Sequence, residues 1–270
     1  MLKTRIITAL IITSIGLAAV FLLPAQAFAA FAVLILLVLG GWEGARLGGL
    51  DQPWPRALYT GALVSIGALV YWLQAPGQIV VWLLPGCLAW VGFLLWLSRP
   101  ALGAAPRLLN QAIKLLVVAM ILLTGWLALV WLQSVSPWLV LMLLIIIAAA
   151  DVGAYFTGRT VGGPKLAPSI SPGKTRSGAV GGLLAAMLAT GVASLFLPDS
   201  PFGPLMAGLL ALGLAAISIG GDLFVSLLKR QRQLKDTSDL LPGHGGILDR
   251  FDSIGAAAPM FALAVAVLGQ

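Results

Sequence analysis

The feature of this sequence that most constrains its fold is a succession of apolar runs, each about twenty residues long, separated by short polar or Pro- and Gly-containing connections. A helix of about 20 apolar residues crosses the hydrocarbon core of a bilayer. Because 60% of the 270 residues are hydrophobic and only 9% are charged, a water-soluble fold would leave large apolar surfaces in water. We therefore expect an all-α, polytopic integral membrane protein.

About nine membrane-spanning helices are predicted from these runs. They lie near residues 6–23, 28–45, 57–74, 79–97, 112–133, 137–156, 178–197, 204–228 and 253–269. About five spans form an N-terminal group, residues 1–135, and about four form a C-terminal region, residues 136–270. Two long polar loops, 157–177 and 229–252, connect spans of the C-terminal region.

The basic residues predict how the chain is oriented. All 16 Lys and Arg residues lie before the first span or around every second connection between spans, which places them on one side of the membrane. The connections on the other side, which include a turn near Pro76, contain no Lys or Arg. The positive-inside rule then predicts a cytoplasmic N-terminus and an external C-terminus. A secretory signal cleaved after Ala25-Gln26-Ala27 is an alternative for the first 30 residues and would leave the remaining topology intact. The single Cys87 excludes an internal disulfide framework.

Two carboxylates interrupt apolar runs in the second half of the chain, at Asp151 and Asp222. A carboxylate at membrane depth costs about 2.5–3.5 kcal/mol, so it is normally paired, bound to a metal or exposed to a water-filled cavity. On a helix, Asp222, Ser226 and Lys229 share one face, with Arg230 at its edge. An internal ion pair on this helix is the structural alternative to a functional site.

The loop 229–252 combines acidic and basic side chains with glycine. Its charged and titratable residues are Lys229, Arg230, Arg232, Lys235, Asp236, Asp239, His244, Asp249, Arg250 and Asp252. Carboxylates that hold Mg²⁺, cations that meet phosphate oxygens and glycines that let backbone amides approach an anion are what a phosphate site needs. His244 has no second His or Cys to complete a zinc site. Two roles stay equally open for His244, contact with a phosphate and capping of the turn.

The same residues resemble the C-terminal signature of the phosphatidate cytidylyltransferases, also called CDP-diacylglycerol synthases. The resemblance rests on Ser226, Lys229-Arg230, Lys235-Asp236, Ser238, Leu241-Pro242, His244-Gly245-Gly246, Asp249-Arg250 and Asp252. The second polar stretch is also similar, through Asp151, Ala154-Tyr155, Gly158-Arg159, Gly162, Pro168, Ser171-Pro172 and Lys174-Thr175. It departs from the family at Arg176-Ser177, where an aromatic residue and an acidic or amide residue would be expected before Gly178.

The resemblance implies that the phosphate of phosphatidate attacks the α-phosphate of CTP, which yields CDP-diacylglycerol and pyrophosphate. It implies a Mg²⁺ site, with a second, monovalent cation left open. The best metal ligands carried over are Asp222 and Asp249, followed by Asp252 and Asp236. The catalytic candidates are Asp222, Lys229, Arg230, Lys235, Asp249 and Arg250. The substrate-binding candidates are Asp151, Tyr155, Arg159, Ser171, Lys174, Thr175, Ser226, His244, Gly245 and Gly246.

The chemistry of the residues agrees with such a transfer. A phosphate monoester is already ionised near neutral pH, so catalysis is mainly positioning and charge neutralisation, with Lys174, Lys229, Arg230, Lys235 and Arg250 as phosphate clamps. The expected partners are CTP, phosphatidate and membrane lipid, without nucleic acid, and a homodimer stays open. We expect a bacterial inner-membrane protein with its site on the cytoplasmic face. The alternatives are another membrane lipid cytidylyl- or phosphotransferase, or an ion-coupled transporter that uses Asp151 and Asp222.

Overall fold

The computed structural model describes residues 2–75 and 77–269, and these residues form a helical bundle with one small hairpin. The helices are α1 (Leu2–Leu22), α2 (Ala25–Ala32), a π-helical segment (Val33–Gly40), α3 (Gly41–Gly48), α4 (Pro53–Leu73), α5 (Ile79–Trp96), α6 (Leu108–Val135), α7 (Pro137–Thr160), α8 (Arg176–Ala193), α9 (Pro204–Gln231) and α10 (Leu248–Leu268). The strands are β1 (Lys165–Ala167) and β2 (Ser171–Thr175), which pair antiparallel.

The predicted class of an all-α, polytopic membrane protein is confirmed. In the described residues, eight helical stretches are long and apolar enough to cross a membrane, and one of them, Ala25–Gly48, joins α2, the π-helical segment and α3. Helix α1 contributes the shorter apolar stretch Ile6–Leu22. A helix therefore lies at each of the nine predicted positions. The orientation of the termini stays a prediction, and Pro76, in a predicted turn, lies outside the described residues.

Two predicted loops are shorter in the structure than in the sequence-based prediction. Helix α10 begins at Leu248 rather than near 253, so the last part of the predicted loop 229–252 is helical. The physical reason is that acidic groups stabilise the positive N-terminal end of a helix, and Asp249 lies in its first turn. In the other loop, 157–177, the chain folds into the β1–β2 hairpin, which directly precedes α8.

Small residues let the helices of the C-terminal region pack closely. A Cβ atom added to Gly178 in α8 would lie 2.8 Å from the carbonyl oxygen of Ala154 in α7. A Cβ atom added to Gly221 in α9 would lie 2.6 Å from the carbonyl oxygen of Asp252 in α10. Within a bilayer, where lipid is as apolar as leucine, such close approaches are a main source of helix association. The approach at Gly221 places the neighbouring Asp222 directly against α10.

Candidate active site

The charged side chains of the C-terminal region meet at one end of the bundle. The hairpin, the C-terminal end of α9 and the N-terminal end of α10 supply them. Lys174 in β2 forms an ion pair with Asp222 in α9, and both side chains are about 30% exposed. One helical turn further along α9, the Ser226 hydroxyl donates a hydrogen bond of 3.3 Å to Asp222. The predicted shared face of Asp222 and Ser226 is therefore present in α9.

A second carboxylate faces Asp222 from the adjacent helix. Asp252 in α10 lies within hydrogen-bonding reach of Asp222 and is only 8% exposed. Its own contact with the backbone is a hydrogen bond of 2.7 Å from the Ser253 amide. Asp151 in α7 is close enough to interact electrostatically with Asp222, Lys174 and Arg250. Because like charges repel at this depth, the Asp222–Asp252 pair is stabilised by a nearby cation or by a proton held on one of the two carboxyl groups.

Asp249 and Lys229 form a different, buried unit beside that pair. The Lys229 ammonium and the Asp249 carboxylate lie 2.5 Å apart. Asp249 also accepts hydrogen bonds from the Thr237 amide at 2.8 Å, the Thr237 hydroxyl at 2.9 Å and the Gly246 amide at 2.9 Å. Both oxygens of Asp249 are thus engaged by protein groups. A metal ion could reach Asp249 only if Lys229 moved away.

A cleft of about 520 Å³ lies beside the Asp222–Lys174 pair, between α7, the hairpin and the start of α8. It brings together five of the substrate-binding candidates, namely Asp151, Tyr155, Arg159, Lys174 and Thr175. The Arg159 guanidinium donates a hydrogen bond of 2.8 Å to the Tyr155 hydroxyl across its mouth. The Thr175 hydroxyl instead accepts a hydrogen bond of 3.1 Å from the Gly178 amide and caps α8.

The remaining candidates divide between structural contacts and free surface. The Arg230 guanidinium donates to the carbonyl oxygens of Ile170 and Leu234, at 3.3 and 3.4 Å, and so holds the hairpin against α9. Ser171 is partly buried in β2. Lys235, Asp236 and Arg250 are exposed, and their side chains form no hydrogen bond or ion pair with any residue that the structure describes.

His244 lies in a tight turn between two glycines. Gly243 and Gly245 have φ angles of 77° and 79°, a region that side chains other than glycine rarely adopt. The His244 amide donates a hydrogen bond to the Leu241 carbonyl at 2.8 Å, and the Leu241 amide donates one to the Gly245 carbonyl at 2.8 Å. Gly246 packs so closely on Glu43 and Thr237 that a Cβ atom there would collide with them. His244, Gly245 and Gly246 therefore shape the turn that precedes α10.

Comparison with known proteins decides which family uses this arrangement. The profile of the cytidylyltransferase family matches residues 3–268. The chain belongs to the cytidylyltransferase family. It is 38% identical over 270 residues to a phosphatidate cytidylyltransferase of Pseudomonas aeruginosa, covering 97% of this chain and 96% of that protein. It is 34% identical over 285 residues to the Haemophilus influenzae phosphatidate cytidylyltransferase, covering 97% of each.

A part of the chain is more similar still to other members of the cytidylyltransferase family. A stretch of 135 residues is 45% identical to the phosphatidate cytidylyltransferase of Brucella melitensis, covering 48% of each chain. The full-length matches show that the N-terminal spans belong to the family fold, although they carry none of the predicted site residues.

The donor set of this cytidylyltransferase-family chain fits a magnesium ion. Mg²⁺ in phosphoryl-transfer sites is commonly held by one or two carboxylates, with substrate phosphates and water as the other ligands. Asp222 and Asp252 provide two facing carboxylates, and the Lys174 ammonium already shows that a cation is accommodated against Asp222. No cluster of three or more metal-binding side chains occurs in residues 2–75 and 77–269. The pair therefore suits a metal ion completed by substrate.

Glu43 is a site residue that the sequence analysis missed, because it lies near the end of the predicted span 28–45, where charged residues are common. It lies in α3 and is only 3% exposed. Its carboxylate accepts hydrogen bonds from the hydroxyl of Ser238 (2.6 Å) and from the amides of Ile247 (3.0 Å) and Leu248 (2.8 Å). It also lies 2.9 Å from the Thr237 hydroxyl, whose single proton can go either to Glu43 or to Asp249. The signal was a carboxylate within an apolar run, which also marked Asp151 and Asp222.

Proposed function

We propose that this chain transfers the cytidylyl group of CTP to phosphatidate and releases CDP-diacylglycerol and pyrophosphate. The observation that carries the proposal is the Asp222–Asp252 pair with Lys174 at the edge of an open cleft. Similarity to phosphatidate cytidylyltransferases over 97% of the chain supports the same substrates. A transporter would leave unexplained why a carboxylate pair is combined with a basic, phosphate-compatible cleft at one end of the bundle.

In the proposed reaction, a phosphate oxygen of phosphatidate forms a bond to the α-phosphorus of CTP. The bond between that phosphorus and the bridging oxygen to the β-phosphate breaks, and pyrophosphate leaves with the electron pair. No general base is needed, because the attacking phosphate monoester is ionised near neutral pH. The demand on the protein is to align two anions that repel one another.

The residues of the site divide this task. Asp222 and Asp252 would hold Mg²⁺, which supplies charge neutralisation at the transferred phosphoryl group. Lys174, Arg159 and Tyr155 line the cleft and are proposed to bind the triphosphate of CTP. Arg250, whose guanidinium has no partner in the described residues, is proposed to meet the phosphate of the lipid. Lys229, Arg230 and Lys235 stay predicted phosphate clamps. In the structure, Lys229 binds Asp249 at the start of α10 and Arg230 binds the hairpin.

We propose that the protein lies in the inner membrane of a bacterium and that its site opens to the cytoplasm. CTP is a cytosolic, charged molecule, and phosphatidate lies in the leaflet, so the site has to be at a membrane surface. The 16 basic residues lie on the same side as the polar loops of the site, and the positive-inside rule assigns that side to the cytoplasm. A basic face would also attract anionic lipid, at about 1 kcal/mol per Lys or Arg.

The proposal is tested by measuring CDP-diacylglycerol from labelled CTP, with purified protein in micelles that contain phosphatidate, across a Mg²⁺ titration. We expect magnesium-dependent product from the parent and a loss of about 100-fold or more in Asp222→Asn and Asp252→Asn. The matched control is Asp51→Asn, since Asp51 is an exposed acid whose one ion pair among the described residues is with Arg232. Asp249→Asn in the same titration decides whether Asp249 is also a ligand.

Two results would contradict the proposal. Parental turnover in both Asp222→Asn and Asp252→Asn would remove the pair from the reaction. No product from a folded parent with any Mg²⁺ concentration would direct the search to other lipid acceptors, which the same assay tests by replacing phosphatidate.

A further inference from the structure

A second cavity, an apolar groove, shares no lining residue with the polar cleft. It has a volume of about 520 Å³ and is formed by α1, α2, the π-helical segment, α7 and the start of α10. Residues that define it are Gly16, Phe28, Ile35, Leu39, Phe251 and Arg250. Among the described residues that line the groove, Arg250 is the only charged one. The groove therefore offers an almost wholly apolar surface with one cation at one end.

The charged end of the groove is next to the Asp222–Asp252 pair. Arg250 lies two residues before Asp252 on α10 and interacts electrostatically with Asp252 and Asp151. Its guanidinium is exposed and has no hydrogen bond or ion pair among the described residues. An anion bound by Arg250 would thus lie between the groove and the candidate active site.

The length of the groove matches one leaflet of a bilayer. Leu39 is at the Arg250 end, because Glu43, one turn further along, binds the first amides of α10. From Leu39 the groove follows the helical stretch back to Phe28, a rise of at most about 16 Å, since the π-helical turns rise less per residue than α-helical ones. Half of a hydrocarbon core of about 30 Å is nearly the same length. A transmembrane helix of a partner protein would need the full thickness, so the groove fits a lipid chain better.

We propose that this groove binds an acyl chain of the phospholipid substrate while Arg250 binds its phosphate. The inference rests on the proposed function and adds where the lipid lies. The Arg250 guanidinium then has a hydrogen-bonding partner, which no described residue provides, and the phosphate is held beside the carboxylate pair. Because lipid tails are as apolar as the groove, the groove contributes alignment of the chain more than affinity.

The test fills the groove without disturbing the fold. A Cβ atom added to Gly16 meets no atom within 4 Å, so Gly16→Trp places a large ring in the groove. The matched control is Gly61→Trp, because Gly61 in α4 is exposed, also has nothing within 4 Å and does not line the groove. We would measure kcat/KM for dioleoyl and dihexanoyl phosphatidate, and KM for CTP, in the parent and both variants.

We expect Gly16→Trp to lower kcat/KM for the dioleoyl substrate about tenfold, equivalent to about 1.4 kcal/mol. The dihexanoyl substrate, whose chains end before Gly16, and KM for CTP should keep their parental values, as should every constant of Gly61→Trp. An equal fall for both chain lengths, or no fall for either, would overturn the inference. Failure of the parent to form product at all would instead refute the proposed function.

A measurement on the unaltered protein covers the case in which Gly16→Trp does not fold. Phosphatidate with a photoreactive diazirine at the chain end should crosslink to residues of α1, α2 and the π-helical segment. Excess phosphatidate should compete, and phosphatidylcholine with the same chains should not. Crosslinks confined to other helices, or equal competition by phosphatidylcholine, would show that the groove holds no substrate chain.

Discussion

Replacing Glu43 by glutamine tests how α3 controls the region in front of α10. Each oxygen of the Glu43 carboxylate lies within hydrogen-bonding distance of two donors, one hydroxyl and one backbone amide, and the Thr237 hydroxyl shares its proton between Glu43 and Asp249. In Glu43→Gln one oxygen becomes an NH₂ group that faces two donors. The hydroxyl can rotate towards another acceptor, but the backbone amide of Ile247 or Leu248 is left without one.

The cost follows from these contacts. An unsatisfied buried amide costs about 1–3 kcal/mol. The loss of a negative charge at a partly buried helix N-terminus adds about 1 kcal/mol. A total of about 3 kcal/mol would increase local opening roughly 100-fold, at 1.4 kcal/mol per factor of ten.

The assay is hydrogen–deuterium exchange followed by mass spectrometry on peptides that cover 236–250. We expect exchange in these peptides to accelerate roughly 100-fold in Glu43→Gln, with peptides of α4 unchanged. Asp51→Asn, another acid-to-amide change, is the control, since an exposed ion pair contributes only about 0–1 kcal/mol. The reasoning would be refuted by unchanged exchange in 236–250, or by an equal acceleration throughout the protein.

Two further predictions concern Lys174 and the aromatic core. Lys174→Gln removes the cation beside Asp222, so KM for CTP should rise about tenfold at saturating phosphatidate. The measurement is the initial rate as a function of CTP concentration. An unchanged KM would show that Lys174 does not bind the nucleotide. Phe224→Ala removes a fully buried ring that stacks on Phe93 at 5.1 Å and meets Trp90 edge-on. The change should cost about 3–5 kcal/mol of stability and lower the thermal denaturation temperature in detergent. An unchanged temperature would show that the neighbouring side chains fill the space without loss of stability.

The sequence alone was sufficient for the membrane-spanning architecture. Each helix is specified by a local run of apolar residues, and the bilayer selects helices because backbone groups have no other partners in hydrocarbon. The Asp222–Ser226 contact was equally predictable, since residues four apart on a helix share a face. Helix ends were less predictable, and α10 begins earlier than expected because the distant Glu43 accepts its first amides, in addition to the acidic Asp249 in its first turn.

The pairing of residues across helices could be decided only by the tertiary structure. Lys229 was predicted to share a face with Asp222, yet it forms its ion pair with Asp249 on α10, because the ammonium can reach either carboxylate and packing selects one. The apolar groove also has no local sequence pattern, since its lining comes from several helices.

Glu43 shows the same division most clearly. Its sequence position marks a carboxylate in an apolar run and nothing more. Its four donors lie about two hundred residues away along the chain, and only the packing of α3 against the start of α10 brings them together. Apolar runs determine which segments enter the membrane because burial depends on local composition. The site depends on which polar groups meet across helices, and that is decided by the close packing of the whole bundle.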